Sequence, residues 1–278
     1  MQGKTKTETR QTKTALAQKL KISRGMLYYK HKKPVEDEKL KVEIEKVLAH
    51  HPAYGHRRIA MELGLNRKRI RRIMKKFHLM PKRRRNQKFI KPDDLGKPET
   101  GYINLIENFC PIRSNVVWVG DFTHIRFGDC WVYLATVMDI YTREIVGWHF
   151  ATTHAKDLVI DAFLDALDKR RQVPVYFHSD QGSEYESDEY LKLLENQGVI
   201  ISMSRKSSPW ENGYQESFYS GFKLDIGSTN HYQDLGELIE AVAGTIHYYN
   251  TERIHTRLKT APEKFRLSRE YLFKEMGT

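Results

Sequence analysis

Three acidic side chains occupy places where acids are uncommon. Asp121 interrupts the apolar, β-branched run VVWVGDFTHIRF, Asp180 closes the short apolar run in VYFHSDQGSEY, and Glu216 lies in SPWENGYQESFYSGFK, which has helical spacing. A carboxylate inside an apolar strand costs desolvation free energy unless it is paired or holds a cation. Each acid also has an ordinary reading. Asp121 could be a structural or edge-strand residue, Asp180 a turn residue before Gly182, and Glu216 a solvated helical residue. Read together, a strand, a strand end and a helix can bring three carboxylates around two divalent cations. Such a pair activates an oxygen nucleophile and stabilises the leaving oxygen at a phosphodiester.

The elements that would position these acids are legible in the periodicity. Residues 116–127, 131–138 and 144–152 read as three strands in an antiparallel meander, with Gly128-Asp129 as the first turn. A helix is expected over 156–171, with Val159, Ile160, Phe163, Leu164 and Leu167 inward. A strand over 173–178, a helix over 187–197 and a strand over 199–203 follow. Ser208-Pro209-Trp210-Glu211 then reads as a capping box opening a helix that runs toward Lys223. Phe218 and Phe222 mark its buried side. Lys223 follows Glu216 by two turns and points the same way, where a cation would meet a DNA backbone. Composition alone gives a mixed α/β domain. The order of three strands, helix, strand, helix, strand, helix is what a ribonuclease-H-like fold requires.

Charge is divided unevenly along the 278 residues. Residues 1–90 hold 27 Lys and Arg against 7 Asp and Glu, a net of +20, whereas 91–278 hold 20 against 28, a net of −8. The excess could be a solvated basic surface, but its concentration favours a polyanion partner. TALAQKLKISRGMLYYK resembles a helix–turn–helix, with Ala15, Leu16, Leu20, Leu27 and Tyr28 apolar and Ser23 a candidate N-cap. His31 to Pro34 reads as a basic joint. Residues 36–50 read as an amphipathic helix with Leu40, Ile44, Val47 and Leu48 on one stripe. A second helix–turn–helix follows. Gly64 suits its left-handed helix end and Asn66 the next N-cap. Ile70, Ile73, Met74 and Phe77 face inward from the next helix. Around them stand Arg67, Lys68, Arg69, Arg71, Arg72, Lys75 and Lys76 with no acid among them, the pattern of a DNA-contacting helix. Arg83, Arg84 and Arg85 prolong the basic run.

WVGDFTHIRF, HSDQGSEY and SPWENGYQESFYSGFK together resemble the catalytic motifs of DDE transposases in the retroviral-integrase superfamily. More narrowly, they resemble OrfB-type transposases of insertion sequences in the IS-three family. YGHRRIAMELGLNRKRIRRIMKK is similar to that family's helix–turn–helix region, and YNTERIHTRLKTAPEKF to its C-terminal motif. The resemblance spans nearly the whole chain. It implies that Asp121, Asp180 and Glu216 bind metal, two Mg²⁺ ions per reactive site with Mn²⁺ able to substitute. It also implies that Lys223 is the basic residue beyond the glutamate, and that Ser208 and Asn212 support the start of the catalytic helix. Arg253 and His255 match the C-terminal motif, with structural and DNA contacts both open. Asp129, Asp139 and Glu184 do not match motif positions and are taken as non-ligands. His124 stands where the family more often has an aromatic residue.

The implied organisation is a helix–turn–helix over 1–34, a second DNA-binding helix–turn–helix over 35–85 and a linker over 86–114. A ribonuclease-H-like core over 115–226, built on a mixed five-stranded sheet with helices, and a helical extension over 227–278 complete it. The implied activity is metal-dependent cleavage and transfer of DNA strands. Its substrates are terminal inverted repeats and target DNA, and joining two ends requires at least a dimer. A transposase-derived DNA-binding regulator and a ribonuclease-H-like nuclease are the alternatives; the intact set of acids argues against the first and the tandem helix–turn–helix units against the second. Cys110 and Cys130 have no CxxC spacing, which speaks against structural zinc and disulfides. The absence of an apolar span or signal core suggests a cytoplasmic protein that is bound to the bacterial nucleoid when on DNA, with no membrane partner.

Overall fold

The computed structural model describes residues 12–28, 33–83, 101–107, 109–205 and 212–276. Arg84, Arg85, Ser208 and the expected capping box lie outside them. In the basic segment, α1 is Lys13–Lys19, followed by a 3-10 turn at Arg24–Tyr28. The expected second α-helix is therefore a single short turn. The expected inward face is also not buried: Leu16, Leu20 and Tyr28 are exposed, and Ala17 is the buried residue. Helix α2, Lys33–His50, starts earlier than the periodicity suggests, because Pro34 falls in its first turn. A proline is tolerated there, since its missing N–H would have had no helical partner.

Helices α3 (His56–Glu62) and α4 (Arg67–Lys76) make the second helix–turn–helix. Gly64 between them has φ +62°, the left-handed geometry expected of a helix end, and the Asn66 side chain accepts from the Lys68 N–H at 2.8 Å. Leu40 and Ile44 of α2 pack with Ile59, Ile70, Ile73 and Met74, so the inward stripe folds as expected. Ile254, from far along the chain, joins this cluster.

The core is a five-stranded sheet of β1 (Val117–Phe127), β2 (Cys130–Asp139), β3 (Ile145–Ala151), β4 (Tyr176–Ser179) and β5 (Ile200–Met203). Its order is β3-β2-β1-β4-β5. The first three strands are antiparallel, while β4 runs parallel to β1 and β5 parallel to β4. This is the ribonuclease-H-like arrangement. On one face, α5 (Lys156–Arg170) and α6 (Asp188–Asn196) pack on Trp118, Ala135, Val146 and Phe177. On the other, α7 (Gly213–Ile226) and α8 (Leu235–Thr251) pack on Val117, Val119, Leu134 and Met138. Helix α9 is Pro262–Met276. Leu164, expected inward, is exposed on α5. The strand expected from Val173 begins only at Tyr176, and Val173 and Val175 are exposed. Gly120 is fixed by close packing: a Cβ there would lie 2.5 Å from the Phe177 ring. No helix among the described residues is long and apolar enough to cross a membrane.

Candidate active site

Strand register makes Asp121 and Asp180 neighbours. Val119 of β1 is level with His178 of β4 in the last pair of the parallel ladder; the same register continued two residues beyond the ladder brings Asp121 toward Asp180, whose charge acts on it. Side chains alternate along a strand, and Val119 faces α7 and α8. Asp121 therefore points to the same side. Asp180 follows the last residue of β4, at the carboxyl end of a parallel strand, where open α/β sheets place functional groups. Its Oδ1 accepts from the Gly182 N–H at 3.1 Å, while Asp121 Oδ1 accepts from the Phe122 N–H at 2.8 Å.

Like charges crowd this place. Burial, then the charge of Asp180 and more weakly that of Glu216, pushes the Asp121 carboxyl well above the usual carboxylate range, and Lys223 opposes them. Burial also raises Asp180, with Glu184 and Glu186 adding to it. Glu216 is raised by burial alone, although its side chain lies on the exposed part of α7. Asp121 thus feels the charge of Asp180 more strongly than that of Glu216. Among the described residues, no three His, Cys, Asp or Glu side chains are near enough to hold one ion.

Helix α7 is fastened to β1 beside Asp121 by three side chains. Asn212 Nδ2 donates to Gly120 O at 3.2 Å, Gln215 Nε2 to Val119 O at 2.7 Å, and the Tyr219 hydroxyl to Asp121 O at 2.6 Å. Gln215 and Tyr219 are buried and also reach Thr136 of β2. Sequence reasoning passed over both. Their signal was polar side chains four residues apart on the helix side that also carries Phe218 and Phe222. The helix tethered in this way carries Glu216 and Lys223 toward the acids. Lys223 also lies near His124, whose ring is held below its ordinary pKa by burial and then by that ammonium.

The other acids have visible work elsewhere. Asp139 is buried and accepts from the backbone N–H groups of Asn115, Tyr141 and Thr142. Asp129 is solvent-exposed near Arg126. Glu184 is buried against His154 at 2.8 Å. Arg253 is buried and pairs with Asp225 at 2.7 Å, and the His255 and Thr260 backbones are bridged.

On α4 the cations divide into two groups. Arg72 and Lys76 clamp the buried Asp37 of α2, at 2.5 and 2.9 Å. Arg67, Lys68, Arg69, Arg71 and Lys75 are exposed, and so is Arg83.

Sequence comparison with known protein families agrees with this architecture. Sequence-family models described as "Integrase core domain" match residues 111–209 and 197–262, and one described as "HTH-like domain" matches 34–87. The transposase of insertion sequence element IS904 from Lactococcus lactis is 35% identical over 242 residues, covering 82% of this chain and 92% of that protein. The 31 kDa protein of insertion element IS600 from Shigella sonnei is 33% identical, covering 83% of this chain and 88% of that protein. Among solved structures, the catalytic core domain of HTLV-2 integrase in complex with magnesium matches 56% of this chain and 98% of that chain, with 16% identity and a TM-score of 0.46. The chain belongs to the insertion-sequence transposases.

Proposed function

We propose that this transposase binds the terminal inverted repeats of its element through α4, and cuts and transfers DNA strands at a site built on Asp121, Asp180 and Glu216. The observation that carries the reading is the parallel pairing of β1 with β4, which ends two residues before Asp121 and Asp180, with the Glu216 helix tied to β1. An all-oxygen donor set suits hard divalent cations, Mg²⁺ first and Mn²⁺ in its place. Two crowded carboxyls with raised proton affinity fit the same role, because a cation relieves their repulsion. Asp121 and Asp180 would hold the ions, and Glu216 joins them in the reactive complex with DNA. When bound, two such ions activate the attacking oxygen and stabilise the leaving one.

The remaining residues position and orient. Asn212, Gln215 and Tyr219 fix α7 against β1. Lys223 presents a cation to the phosphate backbone beside the acids. The same site first frees a 3′-OH at the element end and then aligns it for in-line attack on a second phosphodiester. Strand transfer between two ends calls for at least a dimer on DNA.

Cleavage of labelled element-end duplex in Mg²⁺ tests this reading. Asp121→Asn, Asp180→Asn and Glu216→Gln should each abolish cleavage while duplex binding persists, because α4 lies apart from the acids. Cleavage near the wild-type rate by any of the three removes that residue from the site. Absence of cleavage by the unmodified chain on cognate ends, with metal present, overturns the enzymatic reading.

A further inference from the structure

A cavity of about 910 Å³ opens between the second helix–turn–helix, α7 and the segment that follows α8. This is the size of a pocket for a nucleotide-sized ligand. Its described lining holds Arg58, Lys82, Arg83, Arg143, Arg253 and Arg257 against one acid, Glu107. Glu107 pairs with Arg205 at 2.9 Å. Arg253 is neutralised by Asp225, and Arg58 Nε donates to Ile254 O at 2.8 Å.

Arg143 has no acidic partner among the described residues: burial lowers its pKa, and a hydrogen bond with the Tyr214 side chain opposes this. It sits in the turn after β2 at φ 63° and is 5% exposed. Its backbone is held by Asp139 O and by the Tyr249 hydroxyl, and its guanidinium lies 4.0 Å over the Tyr214 ring. Nε and Nη1 have no hydrogen-bond partner among the described residues, and neither does the buried Nδ1 of His255, which lines the same cavity. Burial and the surrounding arginines, Arg143 foremost, hold the His255 ring down to about 4, so it is neutral at pH 7. A buried guanidinium with two nitrogens lacking an acceptor is disfavoured, and its planar fork matches phosphate oxygens. Ser217 of α7 lines the cavity, and Glu216 is the preceding residue, about 100° around the helix. A strand leaving the acids therefore has this cavity around the edge of α7.

We propose that the cavity is a phosphate-binding site that takes the backbone of a DNA strand passing α7, with Arg143 as its buried ligand and Arg257 at its rim. The choice of a DNA strand rests on the strand-transfer reading; the phosphate chemistry rests on the cavity alone. The test uses the full chain in EDTA, so a silent catalytic centre does not affect it. Two probes are applied to the wild type, Arg143→Gln, Arg143→Lys and Arg257→Ala: a fluorescent single-stranded oligonucleotide, and inorganic phosphate against chloride at matched ionic strength in a thermal-shift assay.

Oligonucleotide affinity should fall about tenfold in Arg143→Gln, the loss of one charge-assisted hydrogen-bonding group. It should recover in part in Arg143→Lys and weaken in Arg257→Ala, whose exposed side chain can be removed without disturbing the core. A phosphate-specific rise in melting temperature that both arginine deletions abolish assigns the site to the free anion as well. An oligonucleotide effect without it assigns the site to the strand. Unchanged oligonucleotide affinity in Arg257→Ala and in a folded Arg143 variant, with no phosphate-specific shift in the wild type, overturns the proposal.

Discussion

The Tyr219 hydroxyl donates to the backbone carbonyl of Asp121 at 2.6 Å, which joins the helix bearing Glu216 to the strand residue that bears the first acid. The bond is partly buried, and the Tyr219 hydroxyl also lies 2.8 Å from the Thr136 hydroxyl. Removing the hydroxyl while keeping the ring leaves a partly buried carbonyl short of a donor. Tyr219→Phe is therefore expected to lose about 1–3 kcal/mol of stability in chemical denaturation. Cleavage should fall further than the unfolded fraction explains, because α7 is less firmly placed against β1.

The crowded acids oppose folding when they are charged. Their folded pKa values lie above the ordinary value of 3.8. The folded state thus holds protons that the unfolded chain has released, and stability falls as pH rises from about 4 through the raised values. At neutral pH without divalent metal, Asp121→Asn and Asp180→Asn should raise the melting temperature. Added Mg²⁺ or Mn²⁺ should stabilise the wild type and leave the double variant unmoved. Thermal melts in EDTA and in MgCl₂ measure both effects.

The clamp on Asp37 has the opposite sign. Hydrogen bonds from Arg72 and then Lys76 hold its carboxyl far below the usual carboxylate range. Its contribution is present above pH about 4 and disappears as pH falls toward the depressed value. Asp37→Asn should destabilise the protein at pH 7, with the difference from wild type narrowing below pH 4. Denaturation across that range gives the comparison.

The same clamp sorts the α4 cations by role. Arg71 is exposed, whereas Arg72 is paired with Asp37. Arg71→Ala should lower the slope of log K against log salt for element-end duplex by about 0.9, the loss of one phosphate contact. Arg72→Ala should change that slope less and stability more. Fluorescence anisotropy over a KCl series, with parallel melts, separates the two.

Local chemistry made much of this molecule readable. Gly64 and Asn66 announced a helix end and an N-cap through their own conformational preferences, and the alternation around Asp121 marked its strand. What stayed hidden depends on contacts between distant segments. No local pattern shows that β4 lies parallel beside β1, yet that register is what makes Asp121 and Asp180 neighbours. The Asp37 clamp joins α2 to α4 across a loop and a helix, so the unbroken cationic surface of α4 concealed that two of its charges are engaged. Gln215 and Tyr219 looked like incidental polar residues until the Val119 and Asp121 carbonyls came beneath them. The apolar pattern around Leu16 and Leu20 misled, because α1 is too short to bury them among the described residues.

The most direct test supplies a pre-cut element end with a free 3′-OH, target DNA and Mg²⁺, and follows the joined product. The wild type should join the strands, EDTA should stop it, and Asp121→Asn, Asp180→Asn and Glu216→Gln should each yield none. Joining at the wild-type rate by any of the three, or undiminished joining in EDTA, would contradict a shared carboxylate–metal site.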